Sequence, residues 1–329
     1  MNFSSYMNEW LYGNDGYYAK YREIGKEGDF YTAVSSSQFF GGSIAKEIIN
    51  LIEKGKFSEH VTICEIGAHK GYLISDVIQF IYTLKPELLE TLSFVVIERF
   101  ERLQEEQKNY FKTAFGDTIQ IGILSSLSQF QSEETIFIAN ELFDAFPCEL
   151  YYKGKIAVVS NHNIEFVKRD SYIDEVAKRY GKERGEIATG YYQFAKEMAE
   201  SSKKFQFITF DYGDKEPRLD FSIRIYYKHK VYPLFEEGLD IASLFKKSDI
   251  TYDVDFQFLE DEFRRAGIEM VEYKTQMRAL VDFGLVELLE LLHSKVSEKV
   301  YLSELNRVKI LIDPAFMGER FKMVRFEKQ

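Results

Sequence analysis

Acidic and amide side chains recur at the ends of short apolar runs in this chain. Glu65 follows Val61-Thr62-Ile63-Cys64, and Glu98 follows Ser93-Phe94-Val95-Val96-Ile97. Asn140-Glu141, with Asp144 just beyond, follows Thr135-Ile136-Phe137-Ile138-Ala139, and Asp211 follows Lys204 to Phe210. In an open α/β sheet, ligands collect beyond the carboxyl ends of the strands, so parallel strands would bring these groups to one rim. A carboxylate ending the second strand can accept both ribose hydroxyls of a nucleoside. Glu98 follows Gly71 by a spacing close to the roughly 20 residues expected of such a group. Two carboxylates such as Glu141 and Asp144 can grip a guanidinium by paired hydrogen bonds, or take its proton. Composition alone favours a plainer alternative: Asn140 caps a helix whose first turn carries Glu141 and Asp144.

The element that must position these groups is the stretch from Val61 to Leu73. A β-branched run leads into Glu65, then Gly67 and Gly71, then a helical pattern with Leu73, Ile74, Val77, Ile78 and Ile81 on one face. Strand, glycine turn and helix form a nucleotide-binding corner, where glycine admits a ligand close to backbone and the helix start offers N–H groups. The dinucleotide fingerprint G-x-G-x-x-G does not fit Gly67 and Gly71, which disfavours a nicotinamide-dependent oxidoreductase. The spacing is closer to the E-x-G-x-G-x-G loop of S-adenosylmethionine-dependent methyltransferases, with His69 at the middle glycine. An ordinary glycine turn is the competing reading of the loop alone.

Composition narrows the classes. The 329 residues are 45% hydrophobic and 16% aromatic, enough for a substantial core. A net charge of −11 disfavours broad nucleic-acid binding, which needs clustered Lys and Arg. No apolar run approaches the ~18 residues of a membrane span. Cys64 and Cys148 have neither disulfide-framework nor metal-ligand spacing, and no metal site is expected. With no signal-peptide pattern at Met1 to Tyr6, a cytoplasmic location is expected.

Alternating strands and helices predict a mainly parallel sheet with right-handed crossovers. Further strands are expected at Thr118–Ile123, Ile268–Tyr273 and Phe321–Phe326. Residues 1–60 read as an N-terminal cap, with a helix from Phe39 that Ser37 can cap, and Gly28-Asp29 as a turn. Residues 61–329 read as one α/β domain with insertions at about 147–202 and 214–256. In the first insertion a hairpin turns at Lys153-Gly154-Lys155 and Tyr172 to Ser202 is helical. In the second, Arg218 to Leu244 is a mobile cover. Thr275 to His293 is one long helix.

Several ordered motifs carry a family resemblance. They are Gly28-Asp29-Phe30-Tyr31-Thr32, Glu65-Ile66-Gly67 with Gly71, Asn140-Glu141-Leu142-Phe143-Asp144-Ala145-Phe146-Pro147, and Asp211-Tyr212-Gly213. Asp249-Ile250-Thr251 with Val254-Asp255-Phe256, and Met317-Gly318-Glu319-Arg320-Phe321, complete them. Together they resemble the MidA-like family of S-adenosyl-L-methionine-dependent methyltransferases, which includes the mitochondrial complex I assembly methyltransferase.

The resemblance implies a class I methyltransferase (Rossmann-like) fold with a mainly parallel seven-stranded sheet, an N-terminal helical segment and inserted substrate elements. It implies S-adenosyl-L-methionine as cofactor, contacted by Asp29, Thr32, Glu65, Gly67, Gly71, Glu98 and Asn140. Glu141, Asp144 and Asp211 would be catalytic on the acceptor side. It implies a protein (arginine) substrate, with a respiratory-complex subunit as one candidate. The rival from another class is a catalytically inactive relative serving as an assembly factor or protein-binding module. The family loop reads E-L-G-P-G-R-G, whereas Ala68, His69 and Lys70 stand here for its proline, middle glycine and arginine. The His69 imidazole either points outward or lies across the cofactor cleft. The first is expected, so His69→Gly should change cofactor affinity by less than about tenfold, roughly 1.4 kcal/mol.

Overall fold

The computed structural model describes residues 1–20, 32–216 and 218–329. The chain divides into two compact units. The sheet unit comprises Thr32–Leu142, Ala195–Asp211 and Phe263–Gln329; the other comprises Met1–Tyr31, Phe143–Phe194 and Tyr212–Glu262. Residues 32–60 group with the sheet unit.

Seven strands build the sheet unit: β1 (Thr62–Ile66), β2 (Ser93–Ile97), β3 (Ile121–Leu124), β4 (Ser132–Asn140), β5 (Ser202–Asp214), β6 (Glu269–Thr275) and β7 (Phe321–Lys328). Their spatial order is β3-β2-β1-β4-β5-β7-β6. The β1–β2, β1–β4, β2–β3 and β4–β5 pairs are parallel, and β6–β7 is antiparallel. The strand order reverses between β1 and β4, the switch point at which open α/β sheets bind ligands. The apolar runs lie in the core: Ile63, Cys64, Val96, Ile136, Phe137, Ile138, Phe207 and Ile208 are all buried.

Flanking helices follow the sequence pattern. Tyr72–Leu84 buries Leu73, Ile74, Val77, Ile78 and Ile81. Phe39–Glu53 begins with the Phe39 N–H donating to the Ser37 hydroxyl at 3.2 Å. A Cβ added at Gly41 or Gly42 would come within 2.6 Å of Asp76 or Phe80, so these two helices meet through bare backbone. A buried Arg325 on β7 donates to Glu47 of Phe39–Glu53 at 2.7 Å and to Gln206 on β5 at 3.1 Å. The expected helix from Thr275 to His293 is broken instead. Gly284 takes a left-handed φ of 94° between Gln276–Asp282 and Leu285–Lys295.

The other unit carries a four-stranded and a three-stranded sheet. Cys148–Tyr152 and Lys155–Ser160 form the expected hairpin, its turn at Lys153 and Gly154 with φ of 45° and 81°. Tyr172 to Ser202 is not wholly helical: the strand Arg184–Ala188 pairs with Cys148–Tyr152 and separates the helices Ser171–Arg179 and Tyr191–Ser201. Nor is Arg218 to Leu244 merely a cover. Strands Arg224–Tyr227 and Lys230–Pro233 pair with each other, and the first also pairs with Asp249–Thr251. The amphipathic helix Phe3–Tyr12 buries Phe3, Tyr6, Met7, Trp10 and Leu11, and the Trp10 indole N–H donates to the Ser248 carbonyl at 2.7 Å. Among the described residues, no helix is long and apolar enough to cross a membrane.

Candidate active site

Strand register gathers the predicted side chains of the sheet unit on one rim. Ile66 pairs with Ile97, so Gly67 and Glu98 emerge side by side, and the Gly67 N–H donates to the Ile97 carbonyl at 2.9 Å. Asn140 pairs with Phe210, and the Glu141 N–H donates to the Phe210 carbonyl at 2.8 Å, which sets Glu141 beside Asp211.

The loop between β1 and the helix Tyr72–Leu84 is built on three left-handed residues, Gly67, His69 and Gly71, with φ of 73°, 46° and 76°. Glycine adopts this region freely, but histidine does so only under support from its surroundings. At Gly71 a second constraint applies, since an added Cβ would lie 2.4 Å from the Phe111 ring.

Glu98, at the end of β2, is 5% exposed. Its carboxylate accepts the His69 N–H at 3.1 Å on one oxygen and the Phe100 N–H at 3.1 Å on the other. Each carboxylate oxygen has about two acceptor sites. Burial raises Glu98 to about 7 against the opposing backbone hydrogen bonds. Glu65 accepts the Ile74 N–H at 2.9 Å, tying β1 to the first turn of the following helix, and burial raises it to about 8. Asp76, on that helix, is raised to about 7, also by burial. Burial and the neighbouring Lys70 charge push His69 down to about 4, so its half-buried imidazole is neutral at pH 7.

These three raised carboxyls set a pH dependence. Unfolded, they titrate near ~4. Between there and about 7–8 the folded protein holds protons that the unfolded chain releases. Stability therefore falls as pH rises through that window. Urea denaturation should give a higher midpoint at pH 5 than at pH 8; a midpoint that rises with pH would contradict this assignment.

Asn140 donates to Glu141 through its side-chain amide at 2.9 Å, while its own Oδ1 is buried without a hydrogen-bond partner. No helix begins there: residues 141–147 are turn and bend, and Glu141 has a φ of 51°. The helix-start alternative is thus excluded. Asp211 is fully buried. Thr32 caps the short helix Ala33–Ser36, exchanging hydrogen bonds with Ser35. Asp29 lies outside the described residues.

In the other unit, Asp144 is 4% exposed and accepts a hydrogen bond from the Tyr212 hydroxyl. That hydroxyl is 2.5 Å from the Thr251 hydroxyl, and the Arg224 guanidinium lies 4.7 Å from the Tyr212 ring centroid. Burial raises the Asp144 pKa, with the Tyr212 bond and the Arg224 charge opposing it. Three stretches of the motif pattern, around Asp144, Tyr212 and Thr251, meet in this buried cluster. Asp249 accepts the Tyr18 hydroxyl at 2.9 Å.

Sequence reasoning missed Gln107, which is fully buried on the helix Glu101–Phe115 and donates to the His69 carbonyl at 2.7 Å. A glutamine at a buried helical position, four residues before Phe111, was the available signal.

The rim has the groups of a nucleoside cofactor site: a buried carboxylate acceptor ending β2, a left-handed glycine loop ending β1, and an orphaned amide oxygen acceptor ending β4. The profile of a family of S-adenosyl-L-methionine-dependent methyltransferases matches residues 43–274. The chain belongs to that family. Among curated proteins, this methyltransferase is 24% identical to zebrafish (Danio rerio) mitochondrial protein arginine methyltransferase NDUFAF7, over 93% of this chain and 78% of that one. The Drosophila melanogaster homologue is 22% identical, over 98% and 80%. Among solved structures, a COG1565 superfamily member from Burkholderia thailandensis bound to S-adenosyl-homocysteine has a TM-score of 0.83 at 21% identity, covering 100% of this chain and 88% of that one. A native structure from the same organism has a TM-score of 0.80 at 21% identity, covering 100% and 87%. The fold is thus the class I methyltransferase fold, with S-adenosyl-L-methionine as cofactor.

Proposed function

We propose that this methyltransferase modifies protein arginine. The observation that carries the reading is the match, over nearly the whole chain, to relatives named protein arginine methyltransferases. The pairing of the β4 and β5 ends, which sets the Glu141 and Asp211 backbones side by side, is consistent with it, because two carboxylates suit a guanidinium. S-adenosyl-L-methionine, when bound, supplies a sulfonium methyl open to nucleophilic displacement. Glu98 accepts the ribose hydroxyls through the acceptor sites that His69 and Phe100 leave over. Gly67 and Gly71 supply the left-handed turns on which the cofactor loop is built, and Glu65 fixes the helix that follows them. Asn140 has an orphaned oxygen that would be available to the cofactor. Glu141 and Asp211 orient the guanidinium and take up its proton, while alignment and charge neutralisation lower the barrier. Asp144, bonded to Tyr212, acts by holding that ring in place. Thr32 belongs to the cofactor side on the same reading. A cytoplasmic location and a respiratory-complex subunit as substrate belong to the same proposal.

The test is incubation with labelled S-adenosyl-L-methionine and a proteome extract, followed by mass-spectrometric identification of the methylated residue. Methylarginine is the expected product. Label confined to lysine or to small molecules would overturn the arginine assignment. Cofactor binding without any transfer would favour the assembly-factor reading.

A further inference from the structure

We propose that Gln107 is a positioning residue for the cofactor loop. It clamps the His69 peptide so that a residue with a side chain can stand where the family pattern carries glycine. The inference does not depend on which acceptor is methylated.

The argument starts from the backbone. His69 is left-handed, with a φ of 46°. Histidine enters that region more readily than most residues with a side chain, but at a cost that glycine does not bear, so contacts that hold it there matter. Two hydrogen bonds grip this residue from both ends. Its N–H donates to Glu98 at 3.1 Å, and its carbonyl accepts from the Gln107 amide at 2.7 Å. A trans peptide points its carbonyl and the next N–H in opposite directions. Fixing the His69 carbonyl on Gln107 therefore also fixes where the Lys70 N–H points.

Gln107 is placed for this and for little else. It lies one turn before Phe111 on the same face of Glu101–Phe115, and Phe111 abuts Gly71 at the other end of the loop. Its side chain is fully buried, yet its Oε1 has no hydrogen-bond partner. A buried amide with one unsatisfied atom is a poor choice for stability alone; a leucine of similar size would remove that orphan. What leucine cannot supply is the N–H that holds the His69 carbonyl. Glu98 and Gln107 thus act on the same residue from two elements, β2 and the helix after it.

The test is a double-mutant cycle read by calorimetry with S-adenosylhomocysteine. Gln107→Leu should weaken binding by about tenfold, or roughly 1.4 kcal/mol, in the native background. In a His69→Gly background the same change should cost less than about threefold, because glycine needs no clamp. The melting temperature of the ligand-free protein should hold or rise in Gln107→Leu. Gln107→Met removes the same donor from an unbranched side chain and gives the same comparison should the leucine variant misfold. Equal losses in both backgrounds, unchanged affinity in the native one, or collapse of the fold with both replacements would each overturn the proposal, leaving Gln107 as core packing.

Discussion

Glu98→Ala is expected to weaken S-adenosylhomocysteine binding by more than tenfold while the protein stays folded. The proposed ribose contact consists of two hydrogen bonds to a charged group, each worth about 1.5–3 kcal/mol. The substitution also releases the His69 and Phe100 N–H groups, so the loop loses one of its two clamps. Glu98→Gln separates these effects, since it keeps an acceptor oxygen and the shape but removes the charge. Its affinity should fall between those of the native protein and Glu98→Ala. Because burial places Glu98 at about 7, native affinity should rise between pH 6 and pH 8 as the stronger acceptor forms. Glu98→Gln should lose that part of the rise. Calorimetry showing the same affinity for Glu98→Ala as for the native chain would remove Glu98 from the ribose role.

The sheet was legible in the sequence because its strands are buried on both faces. Ile136 to Ala139 is a continuous apolar run and Lys204 to Phe210 a mainly apolar one interrupted by Gln206 and Thr209, and the structure extends both, to Ser132–Asn140 and Ser202–Asp214. The strand Arg184–Ala188 escaped notice because local pattern does not make it a strand. It holds one β-branched residue, Ile187, and its extended form comes from pairing with Cys148–Tyr152. Its Glu186 accepts the N–H groups of Ser222 and Ile223, a contact distant in sequence. The break at Gly284 was missed in reading Thr275 to His293 as one helix, although a glycine in an apolar helical run is a signal of interruption. In the candidate site, strand-end position singled out Glu98 and Asn140, and the structure places both at carboxyl ends of the sheet strands. It could not reveal that Asp144 bonds Tyr212, or that Gln107 bonds His69. Those pairs depend on how separate segments fold together, and no spacing encodes them.

The largest stability effect is expected at Gly213, next to Tyr212 in the second half of the motif pattern. Gly213 has a φ of 147°, in a region that residues with side chains rarely adopt, and it pairs with Val254 across a parallel bridge. An added Cβ would lie 2.0 Å from the Val254 carbonyl oxygen, 2.6 Å from its nitrogen and 2.8 Å from its carbonyl carbon. All three are backbone atoms, so no rotamer change relieves the clash, and the bridge must open. Gly185 supplies the control. Its φ of 143° is nearly the same, but nothing lies within 4 Å of its Cβ position. Gly185→Ala should therefore cost only the backbone term, about 1–3 kcal/mol. Gly213→Ala should cost that and the steric term together, above about 4 kcal/mol, a size seen only for defined structural lesions. Opening the bridge would also draw the Tyr212 hydroxyl away from Asp144 and Thr251, so whatever variant folds should lose transferase activity as well. Denaturant titration of the two variants decides the matter. Equal destabilisation would mean that the Val254 strand yields at no cost and that the Gly213 bridge contributes nothing to the fold.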